Sequence, residues 1–544
     1  MKRFFALLLS VLLIFCGCAS TAEQPLPAAS TPAEHSTAPA EEPETVYTSA
    51  FDSETQIRLS DGDIDISGPN SEAVTLTHDI IYYEDRDTYE SGNPYGEGEA
   101  ADRHTADEAA AHTVVNITAA GAYRVSGKLS AGQIRVDLGK DANEDATAVV
   151  ELILDDADIT CTVAPAILFL NVYECDGNRS EDSAKPDVDT AGAGANLILE
   201  GENTVSGSYV ARIYKDKKGE KKLWKQDGAI YSYMSMEVFG PGALELNAEN
   251  EGMDTELHLT VNGGDITIRS GNDGINTNED GVSVTTVNGG RLYVIAGLGE
   301  EGDGIDSNGY LVINGGTVVA SANPASDAGL DSDLGSFIHG GMVIALGSAM
   351  DWAESESGQV TMNLQFAQYQ APTDAIVITA EDGREIFSYD PAADAVLGEN
   401  ARRFIGAIIS CPDFRQGDTY QVYVGDQQMM YTGTDVMMRP GGMDGDFGGF
   451  GGEMPAPPEG FGGEMPALPE GFGGKMPAPP EDFGGEMPAM PEGEMPGGDR
   501  GNRGEMGGDR GGKGGYHQAA GAGNALFYMQ DMVNFFSGLT AVTE

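Results

Sequence analysis

The sequence predicts an all-β chain whose main body is a parallel β-helix, followed by a small C-terminal antiparallel β module and a disordered Gly/Pro/Met-rich tract. Three observations carry this. The triplets Asn262-Gly263-Gly264, Asn288-Gly289-Gly290 and Asn314-Gly315-Gly316 recur every 26 residues, and His339-Gly340-Gly341 follows 25 later. Each triplet leads into a run of alternating apolar residues, at Asp265–Arg269, Arg291–Ile295, Thr317–Ser321 and Met342–Leu346, the period-2 mark of a strand with one buried face. Glycine is abundant, at 75 of 544 residues, while aromatic residues stand at 8%, a balance that suits turn-dense β structure better than helical bundles. A repeat of this length holds a few short strands that must stack on their neighbours to bury their inner faces, whereas a propeller blade needs about 40–45 residues.

Taken from the N-terminus, Lys2-Arg3 and the short apolar run Phe4–Phe15 form a secretory signal, too short to span a bilayer. The run ends at Cys16-Gly17-Cys18-Ala19, which resembles a bacterial lipoprotein box. Residues 1–17 are thus expected to be removed and Cys18 to be acylated; ordinary cleavage after Ala19, releasing the protein, is the alternative. Residues 18–45, rich in Pro, Ala, Thr and Ser, lack periodicity and read as a disordered linker. The β-helix is expected over 46–347. An antiparallel module, with runs such as Thr361–Phe366 and Thr419–Val424, is expected over 348–440 as a cap on the helix end. Low-complexity repeats occupy 441–520, where Glu453–Gly463 (EMPAPPEGFGG) recurs in variants from 464, 475 and 486. The apolar segment 521–544 is too short to cross a membrane and is expected to return to the module as a strand or helix.

Charge narrows the partners. With 30 Lys+Arg against 87 Asp+Glu, the formal charge of -57 repels nucleic acid and anionic headgroups, and divalent cations are the natural counter-ions. No nucleic-acid partner is expected, membrane contact is expected through the lipid anchor alone, and the chain is read as a monomer. Of the five cysteines, Cys161, Cys175 and Cys411 fall in the body; pairing of Cys161 with Cys175 and free thiols are both open, and no function is assigned to them.

A second punctuation mark is an acidic residue before glycine, at Asp227-Gly228, Glu251-Gly252, Asp273-Gly274 and Asp303-Gly304, stretched at Asp327-Ala328-Gly329. With repeats in register, Asp303, Asp306, Asn308, Asp327, Asp331 and Asp333 converge and offer the six or more hard oxygens that Ca2+ takes. Asp254, Asp273, Asn276 and Asn278 supply an earlier site. The competing reading is that Asp and Asn occupy turns because they cap backbone groups and tolerate left-handed conformations. Asn262, Asn288 and Asn314 are expected to stack as a hydrogen-bonded structural ladder.

One basic segment, Arg212–Lys225 (RIYKDKKGEKKLWK), stands against the acidic background. Tyr214, Trp224, Lys217 and Lys218, with Arg291, are candidates for binding an anionic sugar, although Asp216–Gly219 also suits a solvated hairpin tip. No catalytic residue is assigned. Between Asp227 and Leu346 only Arg269 and Arg291 among the lysines and arginines could neutralise or abstract in a β-elimination. Asp303 and Asp306 could serve as a hydrolytic pair only on the weak ground that two aspartates lie close.

The runs Gly121–Gly127 (GAYRVSG), Gln133–Val136, Leu152–Ile159 (LILDDADI), Asn203–Val205, Asp227–Ile230, Gly302–Ile305 (GDGI), Ala407–Pro412 (AIISCP) and Gln416–Val422 (QGDTYQV) resemble a bacterial carbohydrate-binding domain family first catalogued as a domain of unknown function. The resemblance covers about 50–425. It implies a right-handed β-helix of pectate-lyase-like shape, cell-surface binding of a polysaccharide (an acidic plant or cell-wall glycan, or cellulose) and calcium held by turn carboxylates. Asn276 with its neighbours and Cys411 depart from the family pattern, the first putting one calcium position in question. The resulting expectation is a non-catalytic, calcium-dependent polysaccharide binder lipid-anchored on the outer face of the cell membrane. A polysaccharide lyase is the enzyme alternative, and a structural adhesin or envelope protein the third.

Overall fold

A computed structural model describes residues 47–82, 95–96, 104–178, 180, 184–214, 224–299, 301–433 and 523–542, with backbone alone at 95–96, 211–214 and 224. The expected signal peptide (1–17), Cys18 and the whole of the expected linker (18–45), together with Lys217, Lys218 and the repeats of 441–520, lie outside the described residues.

The body is a parallel β-helix with three faces. The first sheet stacks Val150–Asp155, Ala195–Glu200, Met236–Phe239, Leu259–Val261, Val284–Val287, Tyr310–Ile313 and Gly335–Ile338, each parallel to the next. The second stacks Ala157–Cys161, Glu202–Gly207, Ala243–Ala248, Asp265–Ser270, Arg291–Ile295, Thr317–Ser321 and Met342–Gly347. The third stacks Gly132–Asp137, Ile167–Asn171, Gly228–Ser232, Glu251–Thr255, Ile275–Thr277 and Ile305–Ser307. The four predicted post-triplet strands are thus successive members of one sheet, in the register Asp265, Arg291, Thr317, Met342.

Alternation explains the core. Along each strand every second residue points inward, so Leu311 and Ile313, Ile266 and Ile268, and Met253, Ile275 and Ile305 fill one continuous apolar column between the sheets. The triplet glycines make the corner from first to second sheet. At Gly290 and Gly316 the backbone has φ +79°, and a Cβ on Gly316 would sit 2.7 Å from the carbonyl of Gly290 on the rung below. The Asn ladder forms as expected: Asn288 Nδ2 donates to Asn262 Oδ1 and Asn314 Nδ2 to Asn288 Oδ1, both at 2.8 Å.

Both ends of the column are closed. At the first, Glu54–Leu59 pairs parallel to Gly121–Leu129, Val74–Thr77 pairs antiparallel to Thr113–Ile117, and a short helix, Ala106–Ala110, opened by a Thr105–Glu108 capping box, sends Ala109 into the core. At the last, Met342–Gly347 pairs antiparallel to Phe404–Ser410, which ends the parallel ladder. Thr361–Gln370 then pairs with Phe404–Ser410, and Val533–Ala541 returns to lie parallel to Thr361–Gln370, so the C-terminal apolar segment is a strand of this module. Arg402 pins the module to the helix by donating to the carbonyls of Gly297 at 2.7 Å, Ser321 at 2.8 Å, and Ala296. Cys161, Cys175 and Cys411 are free thiols.

Candidate functional site: an acidic stripe on the third sheet

The third sheet carries the candidate site on the side facing away from the core. Its register aligns Tyr231, Asp254, Asn276 and Asp306 in one column, and the bridge between Ile305 and Leu330 continues that column to Asp331. The acidic residues before each glycine lie where the chain enters these strands. Repetition of one turn sequence therefore stacks like charges on neighbouring rungs, an arrangement that costs free energy unless protons or cations compensate it.

The densest point is at Asp227, Glu251 and Asp254, whose carboxylates each place an oxygen within 4.8 Å of the others. Asp254 is fully buried and Glu251 is 3% exposed. Lys225, the last residue of the basic segment, sets its ammonium 3.0 Å from Asp227 and 3.9 Å from Glu251. Among the described residues, one ammonium thus faces three carboxylates. Asn278 donates to Asp254 Oδ1 and Asn276 Nδ2 to Glu251 Oε1 at 3.3 Å. Glu251 Oε2, Asp254 Oδ2, Asn276 Oδ1 and Gln226 Oε1 are buried with no hydrogen-bond donor. Buried polar atoms are nearly always satisfied, so the unmatched oxygens of Glu251 and Asp254, in the carboxylate cluster, with that of Asn276, bonded to Glu251, suit a hard cation.

Further along the stripe the carboxylates press on one another. Burial and the neighbouring Glu251 hold the Asp254 carboxyl well above the usual carboxylate range. Burial, Glu251 and Asp306 do the same to Asp273, and burial with Asp331 and Asp273 to Asp303. Asp306 is pushed up to about 8 by burial and then by Asp331 and Glu251. Some of these groups also hold the turns: Asp273 accepts the amide of Asp303 at 2.7 Å, and Asp303 accepts that of Ala328. Asp327 accepts the amide of Gly302 at 2.7 Å, and Asn308 donates to Asn278 O at 2.9 Å and Asp280 at 3.0 Å. Both functions read from the sequence, capping and charge clustering, thus coexist in the same aspartates.

Of the predicted metal residues, the fold brings Asp254, Asp273, Asn276, Asp303, Asp306 and Asp331 onto one stripe. Asp327 and Asn308 are engaged in tying adjacent turns, and Asp333 is exposed, although its charge still bears on Asp306. Asp227, Glu251 and Lys225 were not among the predicted ligands. Their signal was the acid-before-glycine punctuation, but Asp227 sits one residue further from its strand's inward isoleucine than Glu251 does from Met253, which hid their convergence.

The sugar candidates are scattered. Tyr214 and Trp224 lie in two antiparallel strands, Val210–Tyr214 and Trp224–Gln226, that pair around Ile213 and Trp224. Arg291 lies on the second sheet, paired with Asp265 at 2.8 Å and with its guanidinium 4.5 Å above the Tyr293 ring. It lines a groove of about 310 Å³ with Glu245, Thr267, Arg269 and Val396. Arg291 and the acidic stripe therefore belong to different sheets.

Residues 111–381 match a family described as carbohydrate-binding domain-containing protein. No curated protein matches the chain. Among solved structures, a polysaccharide lyase-like protein from C. thermocellum, as a gadolinium derivative, is similar at 19% identity and a TM-score of 0.32, over 53% of this chain and 93% of that one. By the family match, residues 111–381 of this chain belong to the carbohydrate-binding domain-containing protein family.

Proposed function

We propose that the protein is a non-catalytic, cell-surface polysaccharide binder, tethered through Cys18, whose binding depends on calcium held along the acidic stripe. The observation that supports this most directly is the set of buried oxygens of Glu251, Asp254 and Asn276 that have no donor, in a chain of a carbohydrate-binding family. Bound Ca2+ would supply the positive charge these oxygens lack and a bridge to sugar carboxylates or hydroxyls. Glu251, Asp254 and Asn276 would hold it in the buried part of the stripe, stiffening the rungs. Asp303, Asp306 and Asp331, which are half-buried, would present the accessible part to an acidic glycan.

One feature favours a second reading, a polysaccharide lyase. Lys225 is a basic group beside the candidate cation site, as proton abstraction from a uronate requires. Burial alone would lower its ammonium's value, but Glu251, Asp227 and Asp254 together hold it well above the ordinary one, which disfavours a base as long as no cation neutralises them.

Retention of the mature protein on insoluble pectate and on cellulose, with and without chelator, tests both. Calcium-dependent retention without unsaturated product supports the binder. Release of unsaturated uronate that is lost in Lys225→Met supports the lyase. Failure to be retained on either material would sink both and leave a structural envelope role.

A further inference from the structure

We propose that the outer face of the first sheet, over the rungs Val284–Asn288, Tyr310–Asn314 and Gly335–His339, is a second glycan-binding surface, selective for a neutral, β-linked chain. It rests on the carbohydrate-binding reading above but uses no residue of the acidic stripe.

On these rungs Thr285, Val287, Leu311, Ile313, Ser336 and Ile338 point inward; of the alternate positions Val284 and Val312 are buried, which leaves Thr286, Asn288, Tyr310, Asn314, Phe337 and His339 to the surface. The rings gather at one end. Tyr310 and Phe337 lie 6.0 Å apart between centroids, and Phe337 and His339 are nearly parallel, at 10° and 6.3 Å. Gly335 leaves room for this, because a Cβ there would meet Glu354 Cγ at 2.9 Å and the Phe337 ring at 3.2 Å. His339 is fixed in turn by the amide of Gly358, which donates to its Nδ1 at 3.0 Å. Tyr310 and Phe337 are half-buried and His339 exposed, so the cluster is anchored yet reachable.

Beside the rings runs the asparagine ladder, exposed at Asn288 and Asn314. Each of these amides uses one N–H on the ladder and keeps a second N–H and a free lone pair, the complement of sugar hydroxyls, which also donate and accept. Rungs repeat about every 4.8 Å, close to the advance of one pyranose along an extended chain. A glycan laid along the helix axis would thus meet an aromatic or amide group at each sugar, with ring faces covering apolar C–H surfaces. The outward side chains of these rungs include no lysine or arginine to pair with a uronate, and Glu354, whose side chain lies against Gly335 at the edge of this face, would repel one.

Affinity electrophoresis of the full chain tests the assignment, in gels holding hydroxyethylcellulose or polygalacturonate with calcium. We expect retardation in both, with the first insensitive to chelator. The double change Tyr310→Ala/Phe337→Ala, and separately Thr286→Lys, should weaken binding to hydroxyethylcellulose at least tenfold while leaving calcium-dependent retardation by polygalacturonate and the thermal midpoint of Thr286→Lys unchanged. Unaltered hydroxyethylcellulose binding in both variants would overturn the proposal. Wild-type binding to polygalacturonate alone would overturn it and leave the calcium-dependent reading standing, whereas binding to neither would remove both.

Discussion

At the scale of single residues, the acidic stripe makes pH and cations act in opposite directions. Asp306 moves from an ordinary 3.8 to about 8 on folding, so between these values the folded chain holds more protons than the unfolded one. Stability therefore falls as pH rises through that window, the reverse of a salt-bridged aspartate. Without added cation, the melting temperature should fall from pH 5 to pH 8, and Ca2+ should restore it at pH 8 far more than at pH 5, as scanning calorimetry can measure. Asp306→Asn should remove the decline in part and raise the cation-free melting temperature at pH 8. Lys225→Met leaves three buried carboxylates facing one another without a counter-charge and should cost about 3–5 kcal/mol in denaturant unfolding, partly recovered by Ca2+. Which aspartates would cluster was legible in the sequence because Asp254, Asp273 and Asp303 follow a repeated turn. That Lys225 sits among them was not, because a lysine closing a basic run reads as surface until the strand after it turns the side chain inward.

At the scale of strands and turns, the Asn-Gly-Gly repeat made four strands of the second sheet readable, and the structure gives each triplet two separate tasks. Its asparagine bonds to the next asparagine, and its last glycine lets one backbone pass close over another. Gly316→Ala should destabilise the protein by about 1–2 kcal/mol or more, since a left-handed φ and a contact with Gly290 are both imposed, and denaturant titration would show it. The third sheet was harder to read. Its strands are short, Ile275–Thr277 and Ile305–Ser307 having three residues each, and the spacing between them varies, so period-2 alternation has little length in which to appear. For the segment of Tyr214 and Trp224 the sequence offered a hairpin beside a sugar-binding role, and the two strands do pair antiparallel; that Tyr95–Gly96 joins them was not legible, because it lies far off in the chain.

At the scale of the whole molecule, a parallel stack must be closed at its ends, since an open last rung would present unpaired backbone to other chains. The alternating runs after residue 360 announced an antiparallel module, but that Arg402, one of two adjacent arginines, would add a polar tie to its ladder and apolar contact with the helix was not legible, since no motif surrounds it. Arg402→Met would remove the guanidinium that bonds the carbonyls of Ala296 and Gly297, while Ser321 O keeps the amide of Ala296 at 2.9 Å. It should cost about 2–4 kcal/mol and make the segment near residue 400 sensitive to limited proteolysis before the helix itself.

The returning strand has a consequence for the long repeat tract. Tyr431 accepts and donates backbone hydrogen bonds with Gly523 and Asn524, and Phe527 and Phe536 pack on the Tyr431 ring at 5.1 and 5.0 Å. The stretch between Gly433 and Gly523 is therefore flanked by residues that meet at one point of the fold. A protease cut anywhere within that stretch would sever the chain without releasing either piece, because Val533–Ala541 stays bound through its ladder and its buried Val533, Phe536 and Leu539. The last twenty or so residues behave, in effect, as a detachable strand: a chain ending at 433 should recapture a synthetic 523–544 peptide, and native mass spectrometry would show the two travelling together.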